Sequence, residues 1–442
     1  MNVHRTIRTT ATGTVRRTCR TSVRISAMAV GLAAAIASAP AGFAGDTAVG
    51  ASQHRAPVPS AVIQWNDTAS SVLGVDSALP APVMAVGMAY VQAAVYNAVT
   101  GMEGGGPLYK WNVRSTCAGS TDAAVAAAAR RVLNAYFTLG TARADAAYTA
   151  ALAAIPEGPA KECGIAYGEL AAQHLLSQRA GDGWKAPVQF LQPLAPGVWR
   201  PTPPAEAAYL APWLGMMVPF TLTSAAQFRP GSPPPLGSAR YAQDLREVED
   251  LGSATSTTRT AEQTEIARFF GGNLTVQLQA AYRDHATRYG MSNRRSARYL
   301  AVADLAAADA VIGAWDAKYF YGFWRPVTAI RLADTDGNPQ TTADPTWTPL
   351  LVTPPFPDYL SGHTTVIGAI TSALASLDDT DRVDLNLNSS VTGTTRHYEM
   401  GATLNQEGIG ARIWGGIHFR TADEVGSAVG SKIGAWSASH LG

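Results

Sequence analysis

The sequence predicts an all-α protein of two helical halves, each similar to a four-helix bundle, joined by a long Pro-rich crossover. Three observations support this prediction. Apolar residues recur at three- and four-residue spacing in both halves, proline is concentrated between them, and alternating apolar and polar residues are rare. The chain has 442 residues, 47% hydrophobic and 15% charged, which is enough apolar material for a sizeable core.

Residues 1–44 are expected to be an export signal. They contain six arginines and nearly all of the Ala-rich segment Ile25–Gly45, which a proline interrupts, so a membrane anchor is not indicated. Small residues lie around the expected cleavage point at Ala44. We therefore expect a secreted or periplasmic protein without a stable membrane span. The alternative is a leader on a cytosolic protein.

Charge and cysteine content fit export. Without the six arginines of the signal, 28 basic residues remain against 33 acidic ones. The resulting net charge of about −5 does not suggest a nucleic-acid partner. Cys117 and Cys163 could form one disulfide in an oxidising compartment. Two buried free thiols are the alternative that the sequence leaves open.

The first half, residues 45–185, shows three long helical patterns, which are Pro82–Met102, Ser120–Leu139 and Ala160–Gly181. Ser120, followed two residues later by Asp122, is typical of a helix start, because such side chains accept hydrogen bonds from free backbone N–H groups. Residues 186–236 then contain too much proline for regular helices and are predicted to form the crossover.

The second half, residues 237–442, resumes the helical spacing and is predicted to contain the functional site. Its first helical patterns are Ser238–Gly252, Arg259–Gly272, Asn273–Gly290 and Arg294–Trp324. Residues 382–395 alternate apolar and polar side chains and predict a small β-hairpin. Three motifs that could bind an anion lie in this half.

The first motif consists of Lys318 and Arg325, which lie seven residues apart among aromatic residues. Seven residues is close to two helical turns, so both cations can leave one face of a helix and converge on an anion. Pro326 is expected to end that helix. The alternative is two separate cations at a helix rim with their charged groups in water.

The second motif is Ser361-Gly362-His363, which follows a Pro-rich approach and opens an apolar helical pattern. The N-terminus of a helix presents free N–H groups and a partial positive charge, so it binds anions readily. The serine adds a hydroxyl, the glycine lets the backbone come close, and the histidine can donate or accept a proton. The alternative is that Ser361 only caps the helix and that His363 is an exposed first-turn residue.

The third motif pairs Arg412 with His418, six residues later. On an unbroken helix these two side chains would point roughly a third of a turn apart. Gly415 and Gly416 weaken that helix and could let both side chains reach one site. The alternative is a solvated arginine and a histidine that serves only in packing.

In this order, the three motifs resemble the signature of the vanadium-dependent haloperoxidases and their relatives, the type 2 phosphatidic acid phosphatases and bacterial acid phosphatases. That signature reads K-x6-R-P, P-S-G-H and S-R-x5-H-x3-D. The first part is complete here, whereas Leu360, Ala411 and Ala422 stand where the family has proline, serine and aspartate. Asp423 comes one position later than the family's aspartate. The resemblance covers about residues 315–423 and implies a secreted, bacterial haloperoxidase-like branch.

The resemblance implies roles for individual residues. The residues that would hold vanadate or phosphate are Lys318, Arg325, Ser361, Gly362 and Arg412. His418 would be the axial ligand of vanadium, or the nucleophile in a phosphatase, and His363 would be the acid–base residue. Lys318 would also act in catalysis by polarising the peroxide. Because vanadate and phosphate are both tetrahedral anions, phosphate is the expected competitor for the vanadate cofactor.

Trp315 and Phe356 match in position the tryptophan and phenylalanine that flank the halide region of fungal-type chloroperoxidases. An apolar wall would remove water from a halide and raise its reactivity, although ordinary packing is the alternative. We therefore expect a vanadate-dependent haloperoxidase that uses hydrogen peroxide and a halide to form a hypohalous-acid-like halogenating species. The alternatives are a secreted acid phosphatase that works through a phosphohistidine and a phosphate-binding protein without activity.

Overall fold

Helices dominate residues 59–441, the part of the chain that the structure, a computed structural model, describes. Within these residues there are thirteen α-helices and one two-stranded antiparallel sheet. The helices are α1 Ala61–Ser71, α2 Ala81–Glu103, α3 Thr121–Tyr136, α4 Thr141–Ala153, α5 Pro159–Gln178, α6 Ala239–Gly252, α7 Ala261–Phe269, α8 Leu274–Arg288, α9 Asn293–Tyr321, α10 Pro326–Arg331, α11 Gly362–Asp378, α12 Gly401–Trp414 and α13 Arg420–His440. The strands are β1 Arg382–Asn388 and β2 Thr395–Met400. The prediction of an all-α fold is confirmed, and a hairpin is present, but its second strand lies almost wholly after the predicted residues 382–395. The predicted export signal lies outside the described residues.

Helix α2 forms the centre of the first half. Apolar residues occupy all of its faces, and a helix of this kind is stable in water only when it is buried. It packs against α3 and α5 of its own half and against α9 of the second half. Among the described helices it is the one long and apolar enough to cross a membrane, but it lies wholly inside the protein, as core helices do.

Helix α3 begins with the serine cap that the sequence predicts. The hydroxyl of Ser120 accepts a hydrogen bond of 3.2 Å from the backbone N–H of Ala123, which satisfies one free donor of the helix N-terminus. Cys117 and Cys163 form a disulfide that joins the segment before α3 to α5. The alternative of two free thiols is thereby excluded.

A buried carboxylate attaches the Pro-rich crossover to α9. The segment between α5 and α6 contains the short 3₁₀ helix Pro212–Met216 and then passes along α9. Asp309 of α9 is fully buried, and its carboxylate accepts hydrogen bonds from the N–H groups of Phe220, Thr221 and Leu222 at 2.6, 2.7 and 3.1 Å. A buried carboxylate is costly without such partners, so this interaction determines where the crossover runs.

Glycines let α13 approach α11 closely. Gly426, Gly430 and Gly434 recur every four residues on one face of α13, and a Cβ atom on Gly430 or Gly434 would lie 2.1 Å from a carbonyl oxygen of α11. The N–H of Ser361 also donates a 3.1 Å hydrogen bond to the carbonyl of Ala422. The N-termini of α11 and α13 are therefore held side by side.

Helix α12 ends at Trp414, before the second residue of the third motif. Gly415 follows it as the C-cap, and Gly416 has a φ of +75°, a conformation that favours glycine. Arg412 consequently lies in the last turn of α12, whereas His418 lies in the loop before α13. The two residues do not share a weakened helix, and the loop brings the histidine to the arginine instead.

Candidate active site

The structure brings the residues of all three sequence motifs to one buried location between the helix ends. Trp315 and Lys318 lie in the last two turns of α9, and Arg325 lies directly before α10. Ser361, Gly362 and His363 are at the N-terminus of α11, preceded by a loop that contains Phe356. Arg412 and His418 come from the end of α12 and the loop that follows. The contacts described below connect these residues.

Lys318 is fully buried and lies above an aromatic ring. Its Nζ donates hydrogen bonds to the carbonyl oxygens of Pro357 at 2.6 Å and Asp358 at 3.0 Å, and it lies 4.9 Å from the centre of the Phe356 ring. Burial, and next the positive charge of Arg325, lower the pKa of Lys318 well below its usual value. Lys318 and Arg325 are thus two cationic side chains buried close together, which favours the binding of an anion.

Arg325 donates hydrogen bonds to two loops of the site, the one before α11 and the one before α13. Its Nε donates to the carbonyl of Phe356 at 2.7 Å, and its Nη1 donates to the carbonyl of Ile417 at 2.6 Å and to Nε2 of His418 at 2.9 Å. Its Nη2 is buried and has no hydrogen-bond partner within residues 59–441. A buried guanidinium nitrogen without a partner is costly, so this donor is suited to bind a ligand.

Arg412 provides a second free donor. Its Nη1 donates to the carbonyl of Phe270 at 3.2 Å, whereas its buried Nε has no partner in the described part of the chain. Burial lowers the pKa of Arg412, like that of Arg325, to about 10, so both guanidinium groups remain charged near neutral pH. Two permanent cations with free N–H groups are thus available to one anion.

The start of α11 fits an anion site more closely than a simple cap. Ser361 occupies the N-cap position, but its side chain makes no capping hydrogen bond within the described helix, so the capping alternative is not supported. A Cβ atom on Gly362 would lie 2.8 Å from the Trp315 ring and 3.8 Å from Cε of Lys318. Only glycine therefore lets the backbone of α11 approach this close to the end of α9.

His363 faces a cavity and is not an exposed residue of the first turn. Its ring meets the Phe270 ring edge-on at 5.6 Å, and its Nε2 is buried without a partner among the residues that the structure describes. Burial, with a smaller effect of Arg412, lowers the pKa of His363 well below its usual value. The imidazole is therefore neutral near pH 7 and can accept a proton from a ligand.

His418 has a polar neighbour close to each nitrogen of its ring. Its Nδ1 lies 2.8 Å from Oδ1 of Asp358, and its Nε2 lies 2.9 Å from Nη1 of Arg325. Burial, followed by the charges of Arg325 and Lys318, lowers the pKa of His418 well below its usual value. The neutral ring can carry its proton on Nδ1, next to the carboxylate, while Nε2 accepts the hydrogen bond from Arg325.

Asp358 is the residue of this site that sequence reasoning missed. Burial raises the pKa of Asp358 to about 7, an effect that Arg325 and Lys318 oppose. The available signal was a lone carboxylate three residues before Ser361 in a Pro-rich segment. Asp423, the carboxylate nearest to the motif position, is also buried in this region, but its carboxylate oxygens have no hydrogen-bond partner within the described residues. Burial raises the pKa of Asp423 well above its usual value.

The rings of Trp315 and Phe356 lie next to each other and form one wall of the site. Their ring centres are 4.8 Å apart, and the Trp315 indole N–H donates to the carbonyl of Leu210 at 3.2 Å. Both rings, together with His363, Arg412 and His418, line a cavity of about 440 Å³. Arg412 and the two histidines therefore face the same cavity as the two aromatic rings.

The chain is similar to known proteins in sequence and in fold. The family described as the VCPO second helical-bundle domain matches residues 298–442. The vanadium chloroperoxidase of Curvularia inaequalis is 30% identical over 196 residues, a match that covers 37% of this chain and 31% of that protein. The chain thus matches about a third of the length of this curated relative.

Two solved structures are similar over nearly their whole length. The first bacterial vanadium-dependent iodoperoxidase aligns with a TM-score of 0.74 and 25% identity, covering 86% of this chain and 96% of that one. A holo-type bacterial vanadium-dependent chloroperoxidase aligns with a TM-score of 0.69 over 88% of this chain and 98% of that one. At 17% identity, the second likeness concerns the fold alone.

Proposed function

The chain belongs to the superfamily of the vanadium haloperoxidases, and from this premise we propose that it is a vanadate-dependent haloperoxidase. It would oxidise a halide with hydrogen peroxide to a hypohalous-acid-like halogenating species. The observation that supports this proposal best is that Lys318, Arg325 and Arg412 all lie close enough to His418 for their charges to lower its pKa, with Nη1 of Arg325 2.9 Å from Nε2. We also propose that the protein is exported, which the Cys117–Cys163 disulfide supports.

The chemistry of the donor set fits vanadate. Buried N–H groups of Arg325 and Arg412 lack partners within the described residues, and a tetrahedral oxyanion would supply acceptors for both. The groups that would hold vanadate are the side chains of Lys318, Arg325, Arg412 and Ser361, the backbone N–H of Gly362 and the Nε2 atom of His418. When bound, vanadate would supply a Lewis-acidic centre that activates hydrogen peroxide towards attack by a halide.

The two histidines would have different tasks. His418 would offer Nε2 as a ligand atom, because Asp358 lies next to Nδ1 and favours the tautomer whose proton is on Nδ1. His363 is neutral and faces the cavity, so its imidazole would take a proton from hydrogen peroxide and return it to the departing oxygen. Lys318, held by two carbonyl oxygens, would place its charge beside the peroxide oxygen that the halide attacks.

The aromatic wall would serve the halide. Trp315 and Phe356 have ring centres 4.8 Å apart and flank Nζ of Lys318, so a halide near this ammonium would lose part of its water shell. A less hydrated halide is a stronger nucleophile, which favours its oxidation. We propose that chloride is used as well as bromide, and this part fails if the vanadate-loaded protein oxidises bromide but never chloride.

A phosphatase is the second candidate. The His418–Asp358 pair would also suit a histidine that attacks phosphorus and forms a phosphohistidine, since the carboxylate would stabilise the charged ring. In that case His363 would protonate the leaving oxygen, and the aromatic wall would serve only packing. A phosphate-binding protein without activity is the third candidate, but binding alone would not require His363.

The test is bromination of monochlorodimedone by the purified mature protein with hydrogen peroxide, with and without orthovanadate. Hydrolysis of p-nitrophenyl phosphate by the same sample is measured in parallel. Bromination that requires vanadate and is competed away by phosphate is the expected result. Phosphate-ester hydrolysis that vanadate inhibits, without bromination, would replace the proposal with the phosphatase. Phosphate binding with neither activity would leave the binding protein.

A further inference from the structure

The cavity next to the cation cluster is larger and more apolar than a halide and hydrogen peroxide require. Its volume is about 440 Å³, within the range of pockets that bind organic ligands, which is roughly 300–1,000 Å³. We propose that this cavity binds a small apolar organic molecule of one or two rings. We further propose that this molecule is the acceptor of the halogen, a second step that depends on the proposed haloperoxidase function.

Apolar side chains from both halves of the protein form the cavity wall. Helix α2 contributes Ala81 and Ala85, which lie four residues apart and so face the same side. Other apolar lining residues are Pro82, Leu210, Leu274, Val311, Leu351 and Val366. Burying an apolar ligand against such a wall releases water from both surfaces, which favours binding.

The polar side chains that line the cavity are few. Three of them, His363, Arg412 and His418, belong to the proposed site, and Nε2 of His363 is buried without a partner in the described part of the chain. The fourth is Thr275, whose hydroxyl donates to the carbonyl of Ala81 at 2.8 Å and so is already satisfied. A few reactive groups in an otherwise apolar lining match an apolar ring with one edge near the histidines.

The chemistry balances for such an occupant. The halide attacks one oxygen of hydrogen peroxide, the O–O bond breaks, and the other oxygen leaves as hydroxide, which takes a proton from solvent to form water. The hypohalous acid formed transfers its halogen as a cation equivalent to a ring carbon. That carbon loses its proton, the proton joins the hydroxide released from the hypohalous acid, and water leaves. A ring held beside the cations would be halogenated before the hypohalous acid diffuses away. The ratio between halogenation of a bound ring and of a free acceptor in solution therefore reports on the cavity.

Binding is tested first, on vanadate-free protein, so that the result does not depend on catalysis. The probe is 1-naphthol, titrated by calorimetry, and we expect one site with a negative heat-capacity change, as apolar burial produces. Ala81→Phe fills the cavity and should weaken binding about tenfold or more. Ala61→Phe is the matched control, because Ala61 is also a half-buried first residue of a helix but does not line the cavity.

A second pair of variants changes two exposed residues, so that the packing of the core is not altered. Val352 lines the cavity and is 72% exposed, whereas Val75 is 69% exposed and lies outside the lining. Val352→Gln should weaken 1-naphthol binding about threefold, because a polar group replaces an apolar one at the entrance, and Val75→Gln should not. Absence of binding to the unaltered protein, or binding that neither Ala81→Phe nor Val352→Gln weakens, would overturn the proposal.

A turnover experiment then tests whether the bound molecule is also the acceptor of the halogen. With vanadate, peroxide and bromide, the rate of 1-naphthol bromination relative to monochlorodimedone bromination should fall about fivefold in Ala81→Phe and stay constant in Ala61→Phe. An unchanged ratio despite weakened binding would show that the ligand is not the acceptor. Bromination of neither compound, with 1-naphthol binding intact, would refute the haloperoxidase function and leave the binding site standing.

Discussion

Oδ1 of Asp358 lies 2.8 Å from Nδ1 of His418, and both side chains are 1% exposed. The signature aspartate of the third motif is replaced by Ala422, so the sequence suggested a site without its carboxylate. The structure supplies one from a different segment, the loop that leads into the second motif. A carboxylate next to Nδ1 favours the tautomer with its proton on Nδ1, in which Nε2 is unprotonated and can act as a ligand atom.

We predict that Asp358→Asn weakens vanadate binding about 10- to 100-fold, the range found when the partner of a metal-binding histidine is changed. The neutral amide no longer selects the tautomer, so part of the population carries its proton on Nε2. Equilibrium dialysis with orthovanadate measures this effect without relying on turnover. Asp316→Asn is the control, because the Asp316 carboxylate pairs with Arg229 and does not contact His418. Equal affinities of the two variants would contradict the prediction.

We predict that Arg412→Ala lowers the affinity for vanadate and for phosphate about 100-fold, because a charge-assisted hydrogen bond to a buried oxyanion is lost. The same loss for both anions is expected, since the arginine recognises their common tetrahedral shape. Calorimetric titration with each anion provides the measurement. Arg420→Ala, which removes a partly exposed ion pair with Glu247, should bind both anions normally. Retention of anion binding by Arg412→Ala would remove this residue from the site.

We predict that His363→Ala lowers kcat for bromination about 10²- to 10³-fold, the usual contribution of a general acid–base residue. Vanadate affinity should change about threefold or less, because His363 is assigned to proton transfer and not to ligand binding. Steady-state kinetics and dialysis on one preparation separate the two effects. His397→Ala, at a half-exposed position of β2, is the control. A parallel loss of affinity and kcat would assign His363 to the binding of vanadate instead.

Stability should depend on pH through Asp304, a fully buried residue of α9 to which Gln279 donates a hydrogen bond. Burial raises the pKa of Asp304 from its ordinary 3.8 to about 7, because the charged form is poorly solvated there. The folded state therefore retains a proton that the unfolded chain releases between about pH 4 and 7, and stability falls as pH rises through this window.

Asp304→Asn removes this ionisable group and keeps the hydrogen-bonding oxygen. Relative to the unaltered protein, the variant should gain stability as the pH rises from 4 to 8, by at most about 4 kcal/mol. Urea unfolding at several pH values measures the difference between the two proteins. The exposed Asp250→Asn variant should follow the unaltered protein throughout. A constant difference between Asp304→Asn and the unaltered protein would show that Asp304 does not titrate in this window.

The sequence by itself determined the helical fold class, the hairpin and the three motifs, because helical periodicity, caps and motif spacing are local properties of a chain. Lys318 and Arg325 do reach one site, but the prediction of one helix that carries both and ends at Pro326 is wrong, because α9 ends at Tyr321 and Gly322 takes a left-handed conformation. Arg325 is the N-cap residue of α10, and Pro326 begins that helix.

Only the tertiary structure decided which partners these residues meet. The packing of α9, α11 and α13 places Asp358, and not Asp423, at His418, although Asp423 is far nearer to it along the chain. The same packing sets α2 against α9, and residues of both helices line the apolar cavity. These contacts join residues distant in sequence, and their geometry follows from how closely helices can pack, which no local pattern encodes.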